Sequence, residues 1–211
     1  MPIALWLVVQ SSQVQTILVH RVTTILYNKT GANIKIGAVD FRPFNKILLK
    51  DVFIADLNND TLIYAQRIGL SILNVKINEG TFKLNRVELN QAKINFVTDT
   101  SGVMNLSALL EKISQDTVQE SDSGAFVLKS NRIKITNSTF RLKQIGAPEV
   151  ESGINFEDLY LTNLNIDARN FLISGDTIAL AISQMNFLEQ SGFKLDNFRT
   201  DFSLCSKHLN F

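Results

Sequence analysis

The sequence predicts a mainly β protein: an N-terminal α-helix, then an elongated, curved antiparallel β-sheet forming an open apolar groove, with one short helix inserted near 105–114. Three observations carry this reading. Composition suits pleated strands closed by Asn-rich turns, since Pro is scarce at 3 residues and Gly modest at 10, while Ile, Leu, Val, Phe, Thr and Asn recur throughout. Apolar and polar residues alternate from Ile34 onward, which is the period of a strand with one buried face. Finally, RVELNQAKINF at Arg86 to Phe96 returns, changed in letter but not in type, as RIKITNSTFRL at Arg132 to Leu142.

The chain opens with an unbroken apolar run, IALWLVV at Ile3 to Val9. As a helix this run rises only about 10 Å, against roughly 30 Å of bilayer hydrocarbon, so it cannot span alone. It reads as the trailing end of a membrane anchor, a stub of signal peptide, or a buried helix start. The positive opening and small-residue cleavage site of a signal peptide are both missing. Val14, Ile17, Leu18, Val22, Ile25 and Leu26 then recur at helical spacing, with Lys29 and Gly31 suited to a helix C-terminus. This amphipathic helix is expected to cap the sheet, because Arg21 and Lys29 are few cations for a helix lying on a membrane. Residues 1–30 are thus an anchor remnant and amphipathic helix, 31–115 a first β segment with the short helix, 116–125 a polar loop, and 126–211 a second β segment.

Ile34, Ile36 and Ala38 begin the first strand; Ile47, Leu49, Val52 and Ile54 make the next, closed by the turn Asp56-Leu57-Asn58-Asn59-Asp60. Leu62, Tyr64, Ile68, Leu70 and Ile72 continue the pattern, followed by Phe82 and Leu84. In the repeated segment the alternation skips one residue, at Asn90-Gln91 and again at Thr136-Asn137. A third copy, DLYLTNLNI, skips at Thr162-Asn163, between Leu161 and Leu164. A change of parity would send the later apolar residues to the opposite face, and a β-bulge restores them to the first. A two-residue turn would do so too, but such turns favour glycine, and none of the three sites has one. A sheet bent at corresponding points curls into a trough with an apolar inside. The third copy is offset less regularly than the first two, so the array is loose rather than a strict solenoid. Leu204 to Phe211 carries no polar cap or turn, so the array reads as extendable.

Between the first two copies, Thr98 to Gly102 is turn-like, and Asn105 is placed to cap a short amphipathic helix carrying Leu106, Leu109, Leu110 and Ile113. Gln115 to Gly124 is a polar loop.

Charge and motif content exclude several classes. Lys and Arg number 21 against 20 acidic residues, a formal charge of +1, which leaves no excess of positive charge to drive binding to a phosphate backbone, so nucleic acid is not an expected partner. Cys205 has no partner cysteine, and no Cys/His cluster has metal-ligand spacing. The stretch DLNND resembles the start of a calcium loop, but Thr61 stands where Gly is required and Arg67 where Glu is, so it reads as a solvated turn. His20 and His208 lie at opposite ends of the chain and read as surface residues, and Cys205 as a buried inert thiol. Asn28, Asn105 and Asn137 match the glycosylation tripeptide, a frequent chance match in Asn-rich sequence. No catalytic constellation and no cofactor motif emerges, so the expectation is not an enzyme.

The order of segments resembles the N-terminal part of the AsmA-like family, in its translocation-and-assembly-module (TamB) branch of Bacteroidetes type. The residues that carry the resemblance are IKIGAVDF at Ile34 to Phe41, ILLKDVFIAD at Ile47 to Asp56, DTLIYAQRIGLSI at Asp60 to Ile72, RVELNQAKINF, and above all DTSGVMNLSALL at Asp99 to Leu110. It covers roughly residues 1 to 115; beyond that only the strand pattern agrees. The resemblance implies a periplasmic β structure, anchored in the inner membrane, whose apolar groove carries phospholipid toward the outer membrane. It also implies a link to outer-membrane protein assembly, with a barrel of the TamA or BamA type as partner. The short anchor and the missing C-terminal domain depart from the family pattern and fit an incomplete reading frame.

Candidate groove-lining residues are Val52, Ile54, Val87, Leu89, Ile94, Phe96, Ile133, Ile135, Phe140, Leu142, Leu159 and Leu161. The competing reading for each is the packed core of a closed sandwich or barrel.

Overall fold

The computed structural model describes residues 24, 32–76, 81–118, 127–174, 177–205 and 208–210. The expected N-terminal helix and the apolar run before it lie outside the described residues, Thr24 alone excepted, which is helical. His20 and the side chains of Cys205 and His208 lie outside them as well.

The described chain forms nine strands and one helix: β1 (Ile34–Arg42), β2 (Lys46–Ala55), β3 (Thr61–Lys76), β4 (Thr81–Thr98), α1 (Asn105–Val118), β5 (Val127–Gln144), β6 (Asp158–Ser174), β7 (Thr177–Glu189), β8 (Lys194–Cys205) and β9 (His208–Asn210). All nine strands belong to one sheet and lie in it in chain order. The expectation of an antiparallel sheet needs one correction. Seven of the eight neighbouring pairs are antiparallel, but β4 and β5 run parallel, so the sheet is mixed. The cause is the inserted helix. Parallel neighbours need a crossover of a dozen or more residues, and the connection holding α1 carries the chain from the end of β4 back to the start of β5.

That crossover explains the repeat. β4 and β5 pair with a constant offset, Arg86 beside Arg132, Leu89 beside Ile135 and Phe96 beside Leu142, and hydrogen bonds across the pair join residues 46 apart. In-register parallel pairing stacks each residue on its counterpart, so two strands sharing one interrupted pattern keep every row chemically uniform.

The interruptions align across the sheet. Asp51, Gln91, Asn137 and Asn163 take positive φ values of 50, 51, 50 and 50°. Asp51 faces Gly37 on β1, where an added Cβ would come within 3.1 Å of the Asp51 Cβ. Neither β1–β2, β2–β3 nor β4–β5 changes register at this line, whereas β5–β6 shifts between Ile135 and Ser138. The strands continue through all three predicted sites, so these are not hairpin turns. The expected bulge fits the shift between β5 and β6, but at Gln91 neither β3–β4 nor β4–β5 changes register, so there the irregularity is a positive-φ residue without a bulge. Asn and Asp tolerate the left-handed region better than other non-glycine residues, which suits Asp51, Asn137 and Asn163 to these positions; Gln91 takes it without that advantage.

At the end of the sheet where β2, β4 and β7 finish, three turns share one design. In DLNND, DTSGV and EQSGF the first residue's backbone N–H donates to the carbonyl four residues on, Asp56 to Asp60, Asp99 to Val103 and Glu189 to Phe193. Its carboxylate accepts from the backbone N–H two residues on, at 2.9 Å from Asn58, 2.8 Å from Ser101 and 2.8 Å from Ser191. The fourth residue, Asn59, Gly102 or Gly192, holds the positive φ that the turn requires.

Helix α1 lies against the sheet through Leu109 and Leu110, which form a buried cluster with Ala32 and Leu62 that also touches Ile34, Ile54, Ile63 and Phe96. Asn105 does not cap it. Its Oδ1 accepts from the Val97 N–H at 3.1 Å, while its Nδ2 donates to the Asn95 carbonyl and to Asp56 Oδ2, both at 3.2 Å. The amide staples the helix start to β4 and to the β2–β3 turn, while the Ala108 N–H donates to the Met104 carbonyl at 3.0 Å, so the chain enters the helix at Met104.

Candidate functional site

The twelve candidate lining residues lie on one face of the sheet, because directly paired residues on neighbouring strands share a face and residues two apart along a strand do too. Phe96, Leu142 and Leu159 form one row. Ile54, Ile63, Ile94, Phe140 and Leu161 form the next, with Val52 beside Ala65 and Ala92 below it. Across the crease come Leu89 and Ile135, then Val87 and Ile133.

Whether both sides of the crease share a face is decided by packing. Leu89 and Ile135 pack against the buried group Ala65, Ala92 and Ile94, together with Ile63, Ile68, Phe96 and Phe140. The skip in the sequence therefore keeps the apolar row on one side, as the pattern requires. Phe96 and Phe140 meet edge to face, with ring centroids 5.4 Å apart, an arrangement that aligns a ring edge with a π face. Val52, Ile94, Ile133 and Leu161 are buried; the other eight are half-buried.

The backbone groups released at the crease are satisfied by polar side chains. Ser138, fully buried, accepts from the Ala92 N–H at 3.0 Å and donates to the Thr136 carbonyl at 2.9 Å. Asn165 Oδ1 accepts from the Asn137 N–H at 3.0 Å, and its Nδ2 donates to the Asn163 carbonyl and to Asn186 Oδ1. On the polar face, Arg67 donates to Asn90 at 2.8 Å and Asn90 to Thr136 at 2.9 Å. Such a ladder lets the irregularity persist in a half-buried sheet, where orphaned N–H and C=O groups would be costly.

Several residues of the apolar face were not among the candidates. The Leu89–Ile135 row continues through Ile166 and Met185 to Phe198 and reaches back through Ile68 and Leu49 to Val39. On β8 the face is least covered, with Phe198 42% and Phe202 36% exposed. The alternation of Phe198, Thr200 and Phe202 is the signal that could have found them. The skip Leu49 to Val52 was likewise readable beside the three copies.

No group of three or more His, Cys, Asp or Glu able to hold a metal occurs among the described residues. In the turn that resembles a calcium loop, Asp56 Oδ1 accepts from the Asn58 and Asp60 N–H groups and Oδ2 from the Asn105 amide at the start of α1, so both oxygens already serve the fold. No described helix is long and apolar enough to cross a membrane. Compared with protein-family models and with curated proteins, the chain finds no match.

Proposed function

We propose that the apolar face binds phospholipid acyl chains and that the protein is a groove segment conducting lipid between inner and outer membranes, anchored in the inner membrane with its bulk in the periplasm. The observation that carries this reading is the continuity of apolar rows over one face, kept in line through the crease and least covered at Phe198 and Phe202 on β8. Bending toward that face is supported by Ile173 and Ile178. They pack against the cluster holding Leu62 and Leu110, yet their register places them level with Phe82, near the start of β4. In a flat sheet roughly 40 Å would separate that level from Leu62.

Hiding a methylene from water is worth about 0.8 kcal/mol, so a 16-carbon chain laid along such rows gains up to roughly 12 kcal/mol before ordering costs. That gain is large enough for lipid to be retained through purification. Protein expressed in a membrane-bearing host is expected to carry phospholipid detectable by mass spectrometry, and the double variant Leu89→Asp, Ile135→Asp to carry much less. Circular dichroism checks that the variant is folded. Lipid-free wild type, or a folded double variant with undiminished lipid, would overturn the reading.

A second reading, a scaffold for outer-membrane protein assembly by strand pairing, is favoured by the edge of β1, which pairs only with β2 among the described residues. Crosslinks from β1 to an outer-membrane barrel, with no lipid bound, would favour it over the first.

A further inference from the structure

The face opposite the apolar rows carries a row of cations. Strand register sets Arg42 beside Lys46, then Ser71, then Arg86, Arg132 and Arg169 on successive strands. Like charges directly opposite one another destabilise a sheet, so such a row calls for anions. Carboxylates of the protein supply some of them. Asp40 lies 3.3 Å from Arg42 and Glu88 3.0 Å from Arg86, while Asp167 holds Arg132 through two bonds. Lys46 and Arg169 have no ion pair among the described residues.

Gly69 sits between Leu48 and Glu88 on this face and contributes no side chain. A cleft of about 470 Å³ opens there, lined by Arg42, Lys46, Arg86 and Arg132, by the Glu88 carboxylate that pairs with Arg86, and by the Asn85 and Asn131 amides. At its rim the β1–β2 turn displays Phe44, 89% exposed and held at φ 64°, a conformation that bulky residues avoid. Leu73, 58% exposed, follows Ile72, whose N–H donates to the Asn45 carbonyl of the same turn at 2.9 Å.

We propose that this cleft docks the headgroups of an anionic phospholipid bilayer, with Phe44 and Leu73 entering the acyl boundary. Arg132's fork is taken by Asp167, but Arg42 and Arg86 are each paired through a single nitrogen and keep further N–H groups for a phosphodiester, and Lys46 adds a point charge that no carboxylate among the described residues holds. Cations gathered beside exposed apolar side chains are the pattern of an interfacial contact, and the chain's near-neutral total makes their gathering on one face the more specific. This site uses the opposite face from the acyl-binding rows and stands or falls separately from them.

Flotation of the full chain with vesicles tests it, using phosphatidylcholine alone or with phosphatidylglycerol added, at low and high salt. Wild type is expected to partition onto the anionic vesicles and to be released by salt. Lys46→Gln is expected to weaken that partition roughly fivefold, the factor for one cation near an anionic surface. Gly69→Leu fills the cleft without changing charge and is expected to weaken it as well; a Cβ at Gly69 meets Glu88 at no less than 3.6 Å, which is ordinary contact. Phe44→Ser is expected to lower binding while leaving its salt dependence intact. The apolar N-terminal run is common to all variants, so differences between them report the cleft. Equal binding to neutral vesicles, or wild-type binding by Lys46→Gln, would overturn the proposal. So would saturable binding of inorganic phosphate, lost in Gly69→Leu, by a protein that ignores vesicles.

Discussion

Asn163 shows how much a single backbone angle decides. Its φ of 50° places it in the left-handed region, and its side chain is exposed, so the residue acts through its backbone alone. A β-branched residue there meets the steric cost of that region, about 1–2 kcal/mol. Asn163→Ile is therefore expected to lower unfolding free energy by about that amount in urea titration, and Asn163→Gly to change it by about 0.5 kcal/mol or less. Equal effects of the two substitutions would show that the angle is not what matters. Two aspartates act through charge instead. Hydrogen bonds from Arg141 hold the Asp158 carboxyl below its ordinary range, aided by the charges of Arg141 and Lys143. Asp167 is held low in the same way by Arg132. A depressed folded value means stability that is fully present above the unfolded value of about 3.9 and lost as pH falls through the folded one. Stability is thus expected to decline from about pH 4 downward, and Asp158→Asn to flatten that decline, as followed by urea midpoints across the acid range.

Elements are tied together by local chemistry that the sequence states in part. The three five-residue turns are legible once seen together, since each opens with Asp or Glu, has Asn or Ser third, and Asn or Gly fourth. Helix α1 follows from Leu106, Leu109 and Leu110 at helical spacing. The role of Asn105 did not follow, because an Asn before a Leu-rich run fits a helix cap equally well, and its actual partners Asp56 and Asn95 are distant in the chain. Asn105→Ala removes three hydrogen bonds and strips a partner from buried Asp56. It is expected to cost about 2–4 kcal/mol, at roughly 1 kcal/mol per bond plus the unmet group, whereas loss of an exposed cap alone would cost nearer 1 kcal/mol. Thermal or urea unfolding of the variant distinguishes the two.

At the scale of the whole molecule, one continuous sheet sorts its surface into an apolar face and a basic one. The apolar face takes in all twelve candidates because every strand repeats the period of two and repairs it where it breaks. The basic cleft was not legible in advance. Arg42, Arg86 and Arg132 are scattered through the chain, and only strand register sets them around Gly69. Alternation, the shared skip and the turn residues determined from the sequence alone that strands form, which side of each is apolar, and where three of them break their alternation, since these depend on contacts a few residues long. The parallel union of β4 with β5 and the far ends of each row were decided only by the tertiary structure. Strand order is set by which edges meet after a crossover, and the energy of that meeting comes from residues dozens of positions apart, whose partnership no local pattern encodes.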